Sequence, residues 1–134
     1  THYIGRASLR YDADGNICEV QAVGQPPICY LWGYKGQYLV AEIRNAAYDE
    51  VTTALGAATV ERIRTSVVLS DGLRTSRKEW HVTTATYIPL VGMASMTDPS
   101  GRETTYEYNA HNHLMRVRDH KGKVVNEYEY SFDQ

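Results

Sequence analysis

The feature that most constrains this fold is an internal repeat, in which a strand, a short turn and a returning strand recur along the chain. The segment 11–20 aligns with the segment 108–117, so that a tyrosine opens each turn and a valine closes each returning strand. The turn at 98–101 recurs at 119–122, a step of roughly 20 residues that is typical of repeat arrays. A two-stranded hairpin cannot bury its own apolar face, so such units must pair edge to edge into a longer sheet.

Two stretches of two-residue alternation predict a mainly β (α+β) fold for this chain, which we take as a single domain, 1–134. Residues 1–45 predict β-hairpins, and residues 80–134 predict a β-meander built from the repeats. The expected antiparallel pairs are 7–11 with 17–23 and 106–108 with 114–118.

Between these stretches, residues 46–79 change to a three- and four-residue period, which predicts a short helical insertion. Acidic residues fall in the first turn of one helix, and Gly56 is its predicted end. A second helix is expected at 57–64 and a third after Ser70 as N-cap. The apolar face expected to pack against the sheet consists of Val51, Leu55, Val60 and Ile63.

Charge and hydropathy exclude several classes of function. The net charge of -2 and the pI near 6.2 disfavour nucleic acid as a partner. No apolar run approaches 18 residues, so membrane insertion is not expected. The 11 tyrosines against one phenylalanine favour strands with one wet face. Because the chain begins at Thr1 with no leader, we expect a fragment of a longer protein.

At its turns the sequence resembles the RHS/YD-repeat family, whose units carry a strand, a Tyr-Asp turn with Gly, and a returning strand. The segments 30–38, 41–43 and 89–93 resemble one bacterial branch of that family more closely. The repeat at 108–117 departs from the signature, because an asparagine replaces its aspartate. The repeat-signature residues are Tyr11, Asp12, Gly15, Tyr108, Asn109 and Gly122.

The resemblance implies an antiparallel hairpin meander of YD-type repeats in a secreted or cell-surface bacterial protein. In such proteins the hairpins wind into a β-sheet shell that encloses a C-terminal toxin. The resemblance also implies neighbouring repeats of the parent chain as partners, and it associates the repeats with carbohydrate binding.

No catalytic motif or metal-ligand set stands out, so we expect neither an enzyme nor a cofactor. His111, His113 and His120 lie on successive turns at alternating ends of the predicted meander, which does not favour convergence on a metal. Cys18 and Cys29 allow either a disulfide across the intervening turn or two free buried thiols. The predicted register favours free thiols.

Two functions from different classes fit these observations. The first is a non-catalytic structural segment that extends a sheet and self-associates through strand edges near 3–11 or 124–130. The alternative is a carbohydrate-binding module in which Trp32, Tyr34 and Tyr38 stack on a glycan. Cross-strand packing accounts for the same aromatic residues and is the favoured interpretation.

Overall fold

A computed structural model describes residues 2–4, 7–65 and 72–129. Those residues form ten strands and three helices, and the strand order follows the sequence from β1 to β10. The architecture confirms the mainly antiparallel β prediction with helices inside 46–79. The strands are β1 (His2–Ile4), β2 (Ala7–Tyr11), β3 (Ile17–Ala22), β4 (Ile28–Gly33), β5 (Tyr38–Arg44), β6 (His81–Ile88), β7 (Gly92–Thr97), β8 (Glu103–Tyr108), β9 (Leu114–Arg118) and β10 (Val124–Glu127). The helices are α1 (Tyr48–Leu55), α2 (Ala57–Thr65) and α3 (Gly72–Thr75).

The chain divides into two compact units, Thr1–Thr84 and Ala85–Gln134. The first contains β1 to β5, the three helices and the start of β6, and the second contains the end of β6 and β7 to β10. None of the described helices has both the length and the apolar character needed to cross a membrane.

The first unit contains the predicted N-terminal hairpin. Strands β2 and β3 pair antiparallel from Ala7 opposite Ala22 to Tyr11 opposite Ile17, which confirms the first expected pairing. A register shift beside Tyr11 marks a bulge, which places two residues of β3 opposite one residue of β2. The bulge therefore lies directly before the first repeat turn.

The core of the first unit lies between the helices and one face of the sheet. Val51, Ile63 and Leu73 come from the three helices and are 0%, 3% and 1% exposed. Leu55 and Val60, which were expected on the same face, are only half-buried, because two short helices separated by one residue do not continue a single apolar stripe. The buried apolar side chains of the sheet at paired positions are those of Cys29, Leu31, Ala41, Ile43 and Val82.

Local bonds explain where α1 begins and ends. The Ala47 amide donates to the Glu50 carboxylate at 3.1 Å, which satisfies a backbone group at the start of the helix. Gly56 has φ 88° and its amide donates to the Thr52 carbonyl oxygen at 2.9 Å, so the predicted helix end is confirmed. The expected cap Ser70 lies outside the described residues.

The second unit is a single antiparallel layer. Tyr106 lies opposite Val117 and Tyr108 opposite Leu114, which confirms the second expected pairing. Within the described residues 85–129, only Ala85 and Val117 are buried. This part of the sheet therefore has strand pairing but little buried core of its own.

Candidate functional site

The repeat turns are the first candidate site, because they define how one strand is joined to the next. In the turn that starts at Asp12, the Asp12 amide donates to the Asn16 carbonyl oxygen at 2.8 Å. The Asp12 carbonyl oxygen accepts from the Gly15 amide at 3.0 Å. Its side-chain Oδ1 accepts from the amides of Asp14 and Asn16 at 2.9 and 3.0 Å. One Asp thus closes a five-residue turn with four hydrogen bonds.

The same four hydrogen bonds recur in three further turns of the described chain. These turns start at Asp98, Asn109 and Asp119, and every corresponding distance lies between 2.8 and 3.0 Å. Asn109 belongs to the unit that departs from the signature, yet its amide oxygen accepts the two backbone bonds that a carboxylate would accept. The repeat therefore conserves the chemistry of a side-chain acceptor rather than the identity of the residue.

The fourth position of each turn has a positive φ. The values are 84° at Gly15, 90° at Gly101, 64° at Asn112 and 81° at Gly122. Glycine adopts this left-handed conformation without a steric penalty, and asparagine tolerates it better than most other residues. Asn112 can therefore replace the signature glycine in the turn that starts at Asn109.

Hydrogen bonding also fixes the ionisation of two turn carboxylates. The pKa of Asp98 is lowered, first by the Ser100 hydroxyl and then by the backbone amide of Arg102. The pKa of Asp119 is lowered chiefly by the backbone amide of Lys123. Both side chains are therefore ionised acceptors at neutral pH.

The polar face of the second unit carries a charge ladder across β8, β9 and β10. Glu107 Oε1 lies 3.0 Å from Arg116 Nη1, and its Oε2 lies 2.8 Å from Arg118 Nε. Arg116 Nε also lies 3.1 Å from Glu127 Oε2. The pKa of Glu107 is lowered by its hydrogen bonds, first from Arg118 and then from Arg116. Such partly exposed pairs fix strand register more than they add stability.

The opposite face carries a close contact between an aromatic ring and a glycine. The Tyr108 hydroxyl donates to the Met93 carbonyl oxygen at 2.8 Å. A Cβ built on Gly92 would meet that hydroxyl and would lie 3.1 Å from the Tyr108 Cζ. The signature tyrosine of the second unit therefore covers the backbone of β7, and only glycine leaves room for its ring.

The aromatic residues predicted to stack on a sugar already have structural contacts. The Trp32 indole Nε1 donates to the Ile17 carbonyl oxygen at 2.8 Å. The rings of Tyr34 and Tyr38 meet edge to face at 5.3 Å. All three residues are half-buried. Their geometry agrees with cross-strand packing.

The turn between β4 and β5 has three successive residues with positive φ. The values are 54° at Tyr34, 60° at Lys35 and 80° at Gly36. The Lys35 amide donates to the Arg64 carbonyl oxygen at 2.7 Å, and Asn16 Nδ2 donates to the Gly36 carbonyl oxygen at 2.8 Å. A helix end and a repeat turn therefore hold this left-handed backbone from two sides.

A small open cavity of about 180 Å³ lies where the first repeat turn, β4, α1 and α2 meet. Three aromatic side chains line it, and the turn and α2 contribute its charged groups. The sequence patterns did not identify this cavity, because its walls come from distant segments. Its lining residues are Asp12, Ala13, Asp14, Tyr30, Leu31, Trp32, Tyr48, Val60, Glu61, Ile63 and Arg64.

Two of the three carboxylates that line the cavity pair with the guanidinium of Arg64. Arg64 Nη2 lies 2.7 Å from Glu61 Oε1, and Arg64 Nη1 lies 3.4 Å from Asp14 Oδ2. The hydrogen bond from Arg64 lowers the pKa of Glu61. Burial raises the pKa of Tyr30 and of Tyr48, so both phenols are neutral at physiological pH.

Cys18 and Cys29 are free thiols, and both are fully buried. Burial raises the pKa of Cys18 to about 11 and also raises that of Cys29. The thiolate is the reactive form, so neither side chain has the character of a nucleophile at neutral pH.

Two of the turn histidines, His111 and His113, come near each other without forming a metal-ligand set. The rings of His111 and His113 are 6.4 Å apart. Across the described residues, no group of three or more His, Cys, Asp or Glu side chains is placed to hold a metal ion.

Comparison with known proteins agrees with the geometry of the turns. Residues 93–124 match the RHS Repeat family, and that segment contains the turns that begin at Asp98, Asn109 and Asp119. No curated protein matches the chain. The chain therefore contains an RHS repeat, and the β-hairpin bounded by the repeat turns is its structural unit.

Proposed function

We propose that the chain is a non-catalytic structural segment of an RHS/YD-repeat shell, in which sheet extension is the function. The observation that carries this proposal is the repeated turn, which uses the same four hydrogen bonds at four places in the described chain. A turn of constant geometry sets a constant relation between successive strands. Repeating it adds strands to one sheet in sequence order.

The sparse burial of the second unit supports a role as a wall. Residues 85–129 pair strand to strand, but their apolar face is only half-buried. Independent domains normally cover such a face with a second layer. A sheet that surrounds an enclosed volume needs no second layer on each of its segments, because its stability is shared among neighbouring strands.

The parent protein in this proposal is a secreted or surface-exposed bacterial protein, and the enclosed volume holds a toxin. RHS repeats support this setting, since the family is generally extracellular or surface-associated. The partners of the segment are then the preceding and following repeats of its own chain.

The end strand β10 is the place to test sheet extension. The Tyr128 amide donates to the Met115 carbonyl oxygen of β9 at 2.9 Å. Glu127 is paired with Arg116 one residue earlier, so alternation turns the Glu127 amide away from β9. In the described part of the chain β10 is the last strand of the order. Among the described residues no strand pairs with the outer edge of β10, so its outward amides can pair with a following strand.

The experiment measures self-association of the 134-residue chain by sedimentation velocity over a wide concentration range. We expect association that grows with concentration and that Glu127→Pro reduces, because proline removes the outward amide and blocks the edge. Glu127→Ala is the matched control, since it loses the same ion pair with Arg116 but keeps the amide. A chain that stays monomeric throughout, or equal association of the two variants, would contradict the proposal.

Carbohydrate binding through Trp32, Tyr34 and Tyr38 stays a prediction. The indole N–H of Trp32 is already used by the Ile17 carbonyl oxygen, and the two tyrosine rings contact each other. No observation in the described residues favours a sugar over packing at these positions.

A further inference from the structure

We infer that the strand which pairs with the outer edge of β10 carries an arginine or a lysine opposite Glu127. This inference rests on the proposed function and deepens it, because it names the chemistry of the following strand. It is carried by the order of charges across β8, β9 and β10 and by the exposure of the β10 side chains.

Charges of opposite sign alternate from strand to strand on the polar face of the second unit. Glu107 of β8 lies opposite Arg116 of β9, and Arg116 lies opposite Glu127 of β10. The Arg116 guanidinium therefore has a carboxylate on each side, 3.0 Å away at Glu107 and 3.1 Å away at Glu127. Opposite charges that face each other across two strands are favourable, and like charges are unfavourable. The next position of this row therefore favours a positive charge.

Glu127 has a cation on one side only. Its Oε2 accepts from Arg116 Nε, whereas no hydrogen bond from the described residues reaches its Oε1. Glu107, which lies on an interior strand, uses both oxygens, Oε1 for Arg116 and Oε2 for Arg118. The Glu127 side chain is 61% exposed, and a carboxylate has about four acceptor positions. It can therefore accept from a second cation without losing Arg116.

The apolar side chains beside Glu127 indicate that this cation belongs to a strand. Val125 and Tyr128 are 51% and 40% exposed. In β9, which pairs with a strand on each side, Leu114 and Met115 are half-buried and Val117 is buried. A strand added to the outer edge of β10 would cover apolar surface of this kind and also meet Glu127, whereas a free cation would cover none of it.

The test titrates the 134-residue chain with strand peptides and follows its backbone amides by NMR. The arginine peptide copies β9, Leu114–Arg118, because that strand already places an arginine opposite Glu127. It carries Arg118→Thr, threonines added at both ends and neutral terminal caps, so that the copy of Arg116 is its single charge.

Two further peptides separate charge from backbone pairing. The glutamate peptide is identical except for Arg116→Glu. The methylated peptide keeps the arginine but has every backbone amide N-methylated, so it cannot donate the hydrogen bonds of a strand ladder.

We expect the arginine peptide to slow hydrogen exchange at the Glu127 amide, because this amide points away from β9. It should bind about fivefold more tightly than the glutamate peptide, the effect of an opposite-charge pair in place of a like-charge pair. High salt should reduce this preference, because the pair is exposed to solvent. The methylated peptide should leave the Glu127 amide unprotected.

Two charge reversals in the protein locate the effect. Glu127→Lys should reverse the preference, so that the glutamate peptide binds more tightly. Glu103→Lys makes the same change of charge at an exposed position of β8, opposite Thr97, and should keep the preference of the unmodified chain. Retained amide signals of Tyr106 and Val117, which are paired across β8 and β9, show that the unit is folded in each variant.

The outcomes distinguish this inference from the proposal on which it rests. Equal affinity of the arginine and glutamate peptides, with the Glu127 amide protected by both, would overturn the inference and leave sheet extension in place. A preference that Glu127→Lys does not reverse, or that Glu103→Lys also reverses, would overturn it as well. Failure of every peptide to protect the Glu127 amide would contradict sheet extension at this edge, and the inference would fail with it.

Discussion

Replacing Asn109 by alanine should destabilise the second unit, because the turn that departs most from the repeat signature depends on that side chain. Its Oδ1 accepts from the amides of His111 and His113 at 2.8 and 3.0 Å. Each such bond contributes about 0.5–1.5 kcal/mol net, and the turn is partly exposed, so the loss should be about 1–2 kcal/mol. With a urea dependence of about 1.5 kcal/mol per molar, the midpoint should fall by about 1 M.

The measurement combines urea unfolding, followed by circular dichroism, with amide hydrogen exchange. Exchange at the amides of His111 and His113 should accelerate in Asn109→Ala, because these amides lose their acceptor. Asn109→Asp restores the acceptor of the other turns and should leave the midpoint unchanged or raise it slightly. Asn126→Ala, at an exposed position on β10, controls for loss of an asparagine. The reasoning is refuted if Asn109→Ala leaves both readouts unchanged, or if Asn109→Asp is as damaging as alanine.

Three further predictions test the core of the first unit, its buried thiols and the contact between Gly92 and Tyr108. Ile63→Ala should lower the free energy of unfolding by about 3 kcal/mol, because the Ile63 side chain is only 3% exposed. Leu55→Ala should lower it by about half as much, because Leu55 is half-buried. Equal urea midpoints for the two variants would contradict this difference. The pKa of Cys18, raised by burial to about 11, should make the thiol resist Ellman's reagent at about pH 8 until the chain unfolds. The free energy of unfolding should also fall between about pH 9 and 11, since only the unfolded thiol ionises in that window. Equal labelling of the folded and the unfolded chain by Ellman's reagent would contradict the burial of Cys18. Gly92→Ala should lower the free energy of unfolding by about 1–3 kcal/mol, because the added Cβ would displace the Tyr108 ring. Tyr108→Phe should lower it by about 1 kcal/mol, because it removes only the hydrogen bond to the Met93 carbonyl oxygen. Equal losses in urea unfolding would show that the ring has room to move.

The hairpins could be predicted from sequence because their determinants are local. A turn of this type needs a side-chain acceptor at its first position and a residue that tolerates positive φ at its fourth position. Both requirements fall within five residues of sequence, and the strands beside them show their faces by simple alternation. The turn at Asn109 is harder to predict from sequence, because asparagines stand at both signature positions, the aspartate and the glycine. Its structure was preserved because Asn109 and Asn112 supply the same acceptor and the same left-handed backbone.

The cavity could not be predicted, because no local pattern specifies which helix surface lies above which turn. Tyr48 and Arg64 belong to the insertion, whereas Asp14 belongs to the first repeat turn. The left-handed turn at Tyr34 and Lys35 has a similar origin. A turn was expected there, but a lysine at φ 60° depends on a partner from α2, the Arg64 carbonyl oxygen. Tertiary contacts of this kind override the preferences of single residues.

The two compact units are stabilised in different ways. The helices give the first unit buried side chains on both sides of an interface, such as Val51 and Ile43, each 0% exposed. The second unit has the charge ladder around Glu107 and Arg116, but exposed ion pairs contribute little net stability. What remains is strand pairing, the repeat turns and the partial burial of one apolar face. Each of these gains from a further strand at the edge, so the stability of such a single-layer sheet grows with the number of neighbouring strands.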